Sequence, residues 1–216
     1  GAVIVPLSLS DRPRRMIRWT AALLGVLGAM IAVGWVARVP FLVRIVPTYP
    51  PAQMNAAVGL LGLAAALWGL TRRRRRVMAG GALIAALLRG LALLKHVAGI
   101  DLGIDQLLVP APVAFALDAG DPGPMAATTA ILLLLTGGVL FAWPTLMPRA
   151  FAASVLGTVG MITGAIAGIT LFSYLSGLLG NLRFGTITGM GIPLVIAFVV
   201  LGGTFVMCGW DAERLD

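Results

Sequence analysis

The chain has 216 residues, of which 59% are hydrophobic and only 11% charged, against about 25% charged in a soluble domain. Its formal net charge is +8, from 16 Lys and Arg against 8 Asp and Glu. One cysteine, Cys208, and one histidine, His96, exclude an internal disulfide or bis-histidine haem ligation and argue against a zinc site within the chain.

In chain order, residues 1–15 carry Pro6, Asp11 and Pro13 and no long apolar core. They are not a signal peptide and are read as a cytoplasmic N-terminal segment. Six runs then reach the roughly 20 mostly apolar residues that a membrane-crossing helix needs. They are Met16–Ala37, Gln53–Thr71, Val77–Gly99, Met125–Leu146, Phe151–Ser176 and Gly189–Trp210. Residues 211–216 form a second cytoplasmic tail.

Arginine sets the orientation. Arg12, Arg14, Arg15 and Arg18, then Arg72 to Arg76, then Arg149 and Arg214 fall on one side of these runs. Arg38, Arg44 and Arg183 fall on the other, with Asp101, Asp105, Asp118 and Asp121. Basic residues in short flanks mark the cytoplasmic face, so both termini are expected inside a bacterial cytoplasmic membrane. Five consecutive arginines on a soluble protein would read as a nucleic-acid patch. Between two membrane-length runs, and without an aromatic-basic stacking platform, Arg72–Arg76 read as an anchor, and no nucleic acid is expected as a partner. They hold anionic lipid headgroups or the acidic face of a partner.

The inner connections, Arg72–Arg76 and Met147–Ala150, are short. The outer ones, Arg38–Ala52, Ile100–Pro124 and Gly177–Thr188, are longer, and loops beyond about 12 residues are often functional. Cutting at the inner turns gives hairpins 16–71, 77–146 and 151–210. Their return helices open alike: Pro50-Pro51-Ala52-Gln53-Met54-Asn55, Pro122-Gly123-Pro124-Met125-Ala126-Ala127, and Thr186-Ile187-Thr188-Gly189-Met190-Gly191. The expected fold is all-α: an integral membrane protein with six transmembrane helices as three helical hairpin repeats.

Candidate site residues cluster in the second hairpin. Arg89 lies about 12 residues, or about 18 Å, into the third run, where charge is costly and by default functional. No acidic residue lies within the six runs. Arg89 therefore binds an anionic lipid, a quinone or another acceptor, or else bonds structurally to neighbouring backbone. His96, two turns on, shares its face; it reads as a hydrogen-bonded structural histidine, with a single axial pigment or haem ligand as the alternative. Lys95 lies near the outer surface and snorkels. Asp101 and Asp105, four apart, share a face if helical. Two carboxylates fall short of a calcium site, so a cap and surface ion pairs is the plainer reading.

Gly160, Gly164 and Gly168 let the fifth helix approach a neighbour closely, within the chain or in a partner. Trp19, Trp35, Trp68, Trp143 and Trp210 lie near helix ends, where an aromatic belt is expected. No catalytic set is present, no metal or cofactor is required by the sequence, and the chain is not expected to be an enzyme.

The segment Gly99-Ile100-Asp101-Leu102-Gly103-Ile104-Asp105-Gln106-Leu107-Leu108 resembles one in the N-terminal membrane regions of bacterial sensor histidine kinases and membrane-bound diguanylate cyclases. The starts Met54-Asn55-Ala56-Ala57 and Met125-Ala126-Ala127-Thr128-Thr129-Ala130, and the stretch from Tyr174-Leu175-Ser176-Gly177 to Met190, look similar to that family too. The family's return helices usually keep Asn or His near their start. Here Asn55 remains, while Thr128 and Pro193 stand at the other two positions. The resemblance implies a non-catalytic sensory input module relaying through its last helix to a cytoplasmic PAS, kinase or cyclase output; this chain's last residue is Asp216. The alternative is a structural or accessory subunit of a respiratory or photosynthetic membrane complex, binding lipid, quinone or pigment. Expected partners are membrane lipids and other membrane proteins or further copies of the chain.

Overall fold

The computed structural model describes residues 9–43, 51–98, 127–146, 149–176 and 190–215. They form helices α1 (Asp11–Val36), α2 (Pro40–Val43), α3 (Met54–Thr71), α4 (Arg75–Ala98), α5 (Ala127–Leu146), α6 (Arg149–Leu175) and α7 (Ile192–Leu215). No strand occurs among the described residues. Four helices are long and apolar enough to cross a membrane, in α1, α3, α6 and α7, and α5 carries a shorter apolar stretch, Thr128–Trp143. The chain is thus a helical membrane protein by length and composition.

The helix ends depart from the sequence reading for local reasons. α1 begins at Asp11 rather than Met16. Pro13 falls in its first turn, where a missing N–H is harmless, and the neighbouring arginines are good helix formers. α7 begins at Ile192 with Pro193 in its first turn and runs past Trp210 to Leu215. Helices therefore do contain carboxylates, Asp11, Asp211 and Glu213, but only in their end turns. The α3–α4 connection shrinks to Arg72–Arg74, because Arg75 and Arg76 open α4. The first outer loop contains α2. The other two outer loops lie outside the described residues.

Consecutive long helices pack as antiparallel neighbours. In α1 and α3, Gly25 lies against Ala64 and Gly28 against Ala57 and Leu61. Gly62 of α3 lies against Gly81 and Ala85 of α4, and Gly69 against Met78. Gly137 of α5 faces Ala82 and Ala86 of α4. Gly160 of α6 meets Gly202, Phe205 and Val206 of α7, while Gly209 meets Ala153 and Gly157. The ring closes where α1 packs on α7, with a smaller contact between α5 and α6. Every described arginine except Arg38 therefore lies at the end where α1 begins and α7 finishes, apart from Arg89 within α4. That end is called the arginine end below.

The core is apolar, with Phe198, Phe205, Leu24, Leu60 and Leu132 fully enclosed. Most of its hydroxyls with a partner bond within the helices or between them, as a lipid-embedded bundle requires, while the buried Thr163 hydroxyl finds no acceptor among the described residues. Thr136 donates to the Leu132 carbonyl at 2.6 Å, Thr170 to Ile166 at 2.9 Å and Thr204 to Val200 at 2.8 Å. With the Thr204 proton so placed, Thr20 donates across the α1–α7 interface to Thr204 at 2.7 Å.

Candidate functional site

α4 carries the charged residues expected at depth. Arg89 lies in its helical backbone about 21 Å from the start at Arg75, and Lys95 and His96 fall in its last turn before Ala98. Their side chains lie outside the described residues, as do Asp101 and Asp105 altogether. The antiparallel register, with Gly62 opposite Gly81 and Ala85, brings Asn55 in the first turn of α3 level with residues 88–92 of α4. Asn55 and Arg89 therefore share a depth, with Lys95 and His96 further toward the end opposite the arginines.

At that opposite end the structure shows a device that the sequence reading missed. Trp35, the penultimate residue of α1, donates its indole N–H to the Ala52 carbonyl at 2.8 Å. Ala52 stands two residues before α3. Tyr174, the penultimate residue of α6, donates its hydroxyl to the Met190 carbonyl. Met190 stands two residues before α7. Each aromatic thus ties the end of an outgoing helix to the start of its return helix. The two ties also touch: a Cβ on Gly191 would lie 2.9 Å from the Ala52 nitrogen, and the Ala52 N–H bonds to the Val43 carbonyl at 2.9 Å. The matching positions of one aromatic donor and one carbonyl were the available signal.

Trp35 and Trp143 are buried, which corrects their placement in an aromatic belt. Only Trp19, Trp68 and Trp210 are exposed, at 73%, 47% and 53%, and all three are at the arginine end. The Arg72 guanidinium carbon lies 5.0 Å from the Trp68 ring centroid, and that of Arg214 4.0 Å from Trp210. Arg72 to Arg76 are all exposed. Among the described residues no carboxylate pairs with them or with Arg12, Arg14, Arg15 or Arg18.

The start of α1 and the last turns of α7 meet there too. The Ser10 N–H donates to Asp211 at 2.7 Å and its hydroxyl donates to the other carboxylate oxygen at 2.8 Å. Ser10 is the N-cap residue of α1 and makes no cap bond of its own; its hydroxyl goes to α7 instead. Around the ring, covalent turns join α3 to α4 and α5 to α6 at this end. The Ser10–Asp211 bonds stand at the corresponding place between α7 and α1. Beside them, Ser154 of α6 donates to Glu213 at 3.3 Å.

Of the three spaced glycines, Gly160 and Gly164 face Gly202 of α7, whereas a Cβ on Gly168 would meet nothing within 4 Å. The first two serve packing within the chain, and the third does not. No protein-family model matches the chain, and no curated protein or solved structure matches it either.

Proposed function

We propose that the chain is a membrane-embedded sensory input module of a bacterial cytoplasmic membrane: six crossings in three hairpins, both ends cytoplasmic, with α7 as the relay. The observation that carries this reading is the position of α7. Of the four helices long and apolar enough to cross a membrane it is the most enclosed, with 61% of its apolar stretch buried against 33% for α6. It packs on α6 along its length and on α1, and its last turns hold the cap of α1 through Asp211. A change in hairpin packing at the opposite end, where Met190 and Gly191 abut Ala52, bears directly on the start of α7. A ligand shifts such a packing only by binding one arrangement more tightly than the other, and the segment at the depth of Arg89, Lys95 and His96 is where that ligand is expected.

The test fuses the catalytic module of a sensor histidine kinase behind Asp216 in helical register with α7. Asp211→Asn and Gly202→Ala are expected to move autophosphorylation severalfold in membranes, each without loss of membrane insertion. Output that is identical in all inserted variants contradicts the relay.

A second reading has its own observation. The face of α6 bearing Phe151, Met161, Ile169 and Phe172 is exposed, and Cβ atoms on Gly157 and Gly168 would meet nothing within 4 Å. Such a face admits a helix of another subunit, as in an accessory component of a larger complex. Stable copurification of a second membrane protein after mild detergent extraction, lost in Gly168→Leu, would favour it.

A further inference from the structure

We propose that the arginine end of the bundle is a binding surface for anionic phospholipid headgroups, centred on Arg72 to Arg76 and extended by Arg12, Arg14, Arg15 and Arg18. The inference requires only that the helices lie in a membrane; it does not depend on the sensory role.

Three observations carry it. The first is unbalanced charge. These arginines have no carboxylate partner among the described residues, and the nearby Asp211 and Glu213 accept from Ser10 and Ser154. The second is that the charge is kept against local preference. Arg73 sits at φ 55°, the left-handed region where a helix stop favours glycine. Its N–H bonds to Leu70 at 3.3 Å and that of Arg74 to Gly69 at 2.8 Å, closing the stop of α3. Arg75 and Arg76 then open α4, at the helix end where positive charge is disfavoured. Glycine at the first position and an acid at the second would suit the backbone better. An anion bound across the turn offsets both.

The third observation selects lipid over a soluble partner. Trp68 stacks on Arg72 and Trp210 on Arg214, and Trp19 is the most exposed tryptophan. Exposed tryptophan at the end of an apolar helix sits at headgroup level. The guanidiniums stacked on it lie in the same plane, where phosphates are. Guanidinium forks bind phosphate oxygens in pairs, and the rim carries arginine with no lysine.

The test reconstitutes the full chain in nanodiscs of phosphatidylcholine with and without phosphatidylglycerol, and counts lipids retained after extraction by native mass spectrometry. Phosphatidylglycerol is expected to be enriched over its bulk fraction. The enrichment should collapse at about 1 M salt, where the Debye length is about 3 Å. Arg73→Gly should keep the helix content and lower apparent phosphatidylglycerol affinity about fivefold, the loss expected for one arginine at an anionic surface. Equal retention of both lipids, or retention unchanged both in Arg73→Gly and after Arg72, Arg74 and Arg75 are also replaced by Gln, overturns the proposal. Tighter binding of polyglutamate or RNA than of phosphatidylglycerol vesicles also overturns it, in favour of a soluble acidic partner.

Discussion

Arg38 and Arg73 share a backbone conformation, φ 57° and 55°, and a role: each is the residue just beyond the C-cap of a long helix. After α1 the Val39 N–H returns to Gly34 at 2.9 Å, as the Arg74 N–H returns to Gly69 after α3. This stop normally carries glycine, because a Cβ in the left-handed region costs about 1–2 kcal/mol. Arg73→Gly and Arg38→Gly are therefore each expected to raise stability by about 1 kcal/mol, read as a higher midpoint of thermal unfolding in detergent. A fall in midpoint for Arg73→Gly would mean that the side chain holds the turn itself. The sequence showed Arg72–Arg76 as a block and could not show that one member sits where glycine belongs, since no spacing distinguishes Arg73 from its neighbours.

At the scale of elements, close helix approach is written in glycine, and the two partners of each contact can be told apart. A Cβ on Gly202 would lie 2.6 Å from the Gly164 nitrogen and 2.8 Å from the Gly160 carbonyl oxygen, both backbone, whereas one on the adjacent Gly203 would meet nothing within 4 Å. Gly202→Ala is expected to lose about 2 kcal/mol, the scale of overpacking in a tight interface. Gly203→Ala should be neutral or gain up to about 1 kcal/mol, from helix propensity alone. Equal effects in thermal unfolding would contradict the α6–α7 contact. The four-residue spacing made Gly160 and Gly164 legible beforehand. At Gly168 it marks no contact within the described residues, so only the partner alternative stands there. Trp35 likewise reads as a belt residue by position. Only its distant acceptor, Ala52, shows that its N–H is consumed inside the protein.

At the scale of the whole molecule, the apolar runs were enough to place the helices, since length and hydrophobicity are local properties. The ends were less legible: α1 extends to Asp11 and α7 to Leu215 because helix formers and a tolerated proline continue the backbone beyond the apolar part. The Ser10–Asp211 joint was not legible at all. Its partners are 201 positions apart, and neither belongs to a periodic pattern. Yet it joins the start of α1 to the last turns of α7 at the arginine end. Arg89, Lys95 and His96 were legible as charge at depth, and the register of α3 against α4 adds that Asn55 lies level with Arg89.

In the proposed arrangement this antiparallel ring stands across the membrane with its arginine end inside and the Trp35 and Tyr174 ties outside. The most direct measurement labels single cysteines with a membrane-impermeant maleimide in intact cells, in a Cys208→Ala background, Cys208 being buried. Val39→Cys is predicted to label from outside. Arg74→Cys and Glu213→Cys are predicted to label only after the cells are permeabilised. Labelling of Val39→Cys and Glu213→Cys from the same side would contradict the account.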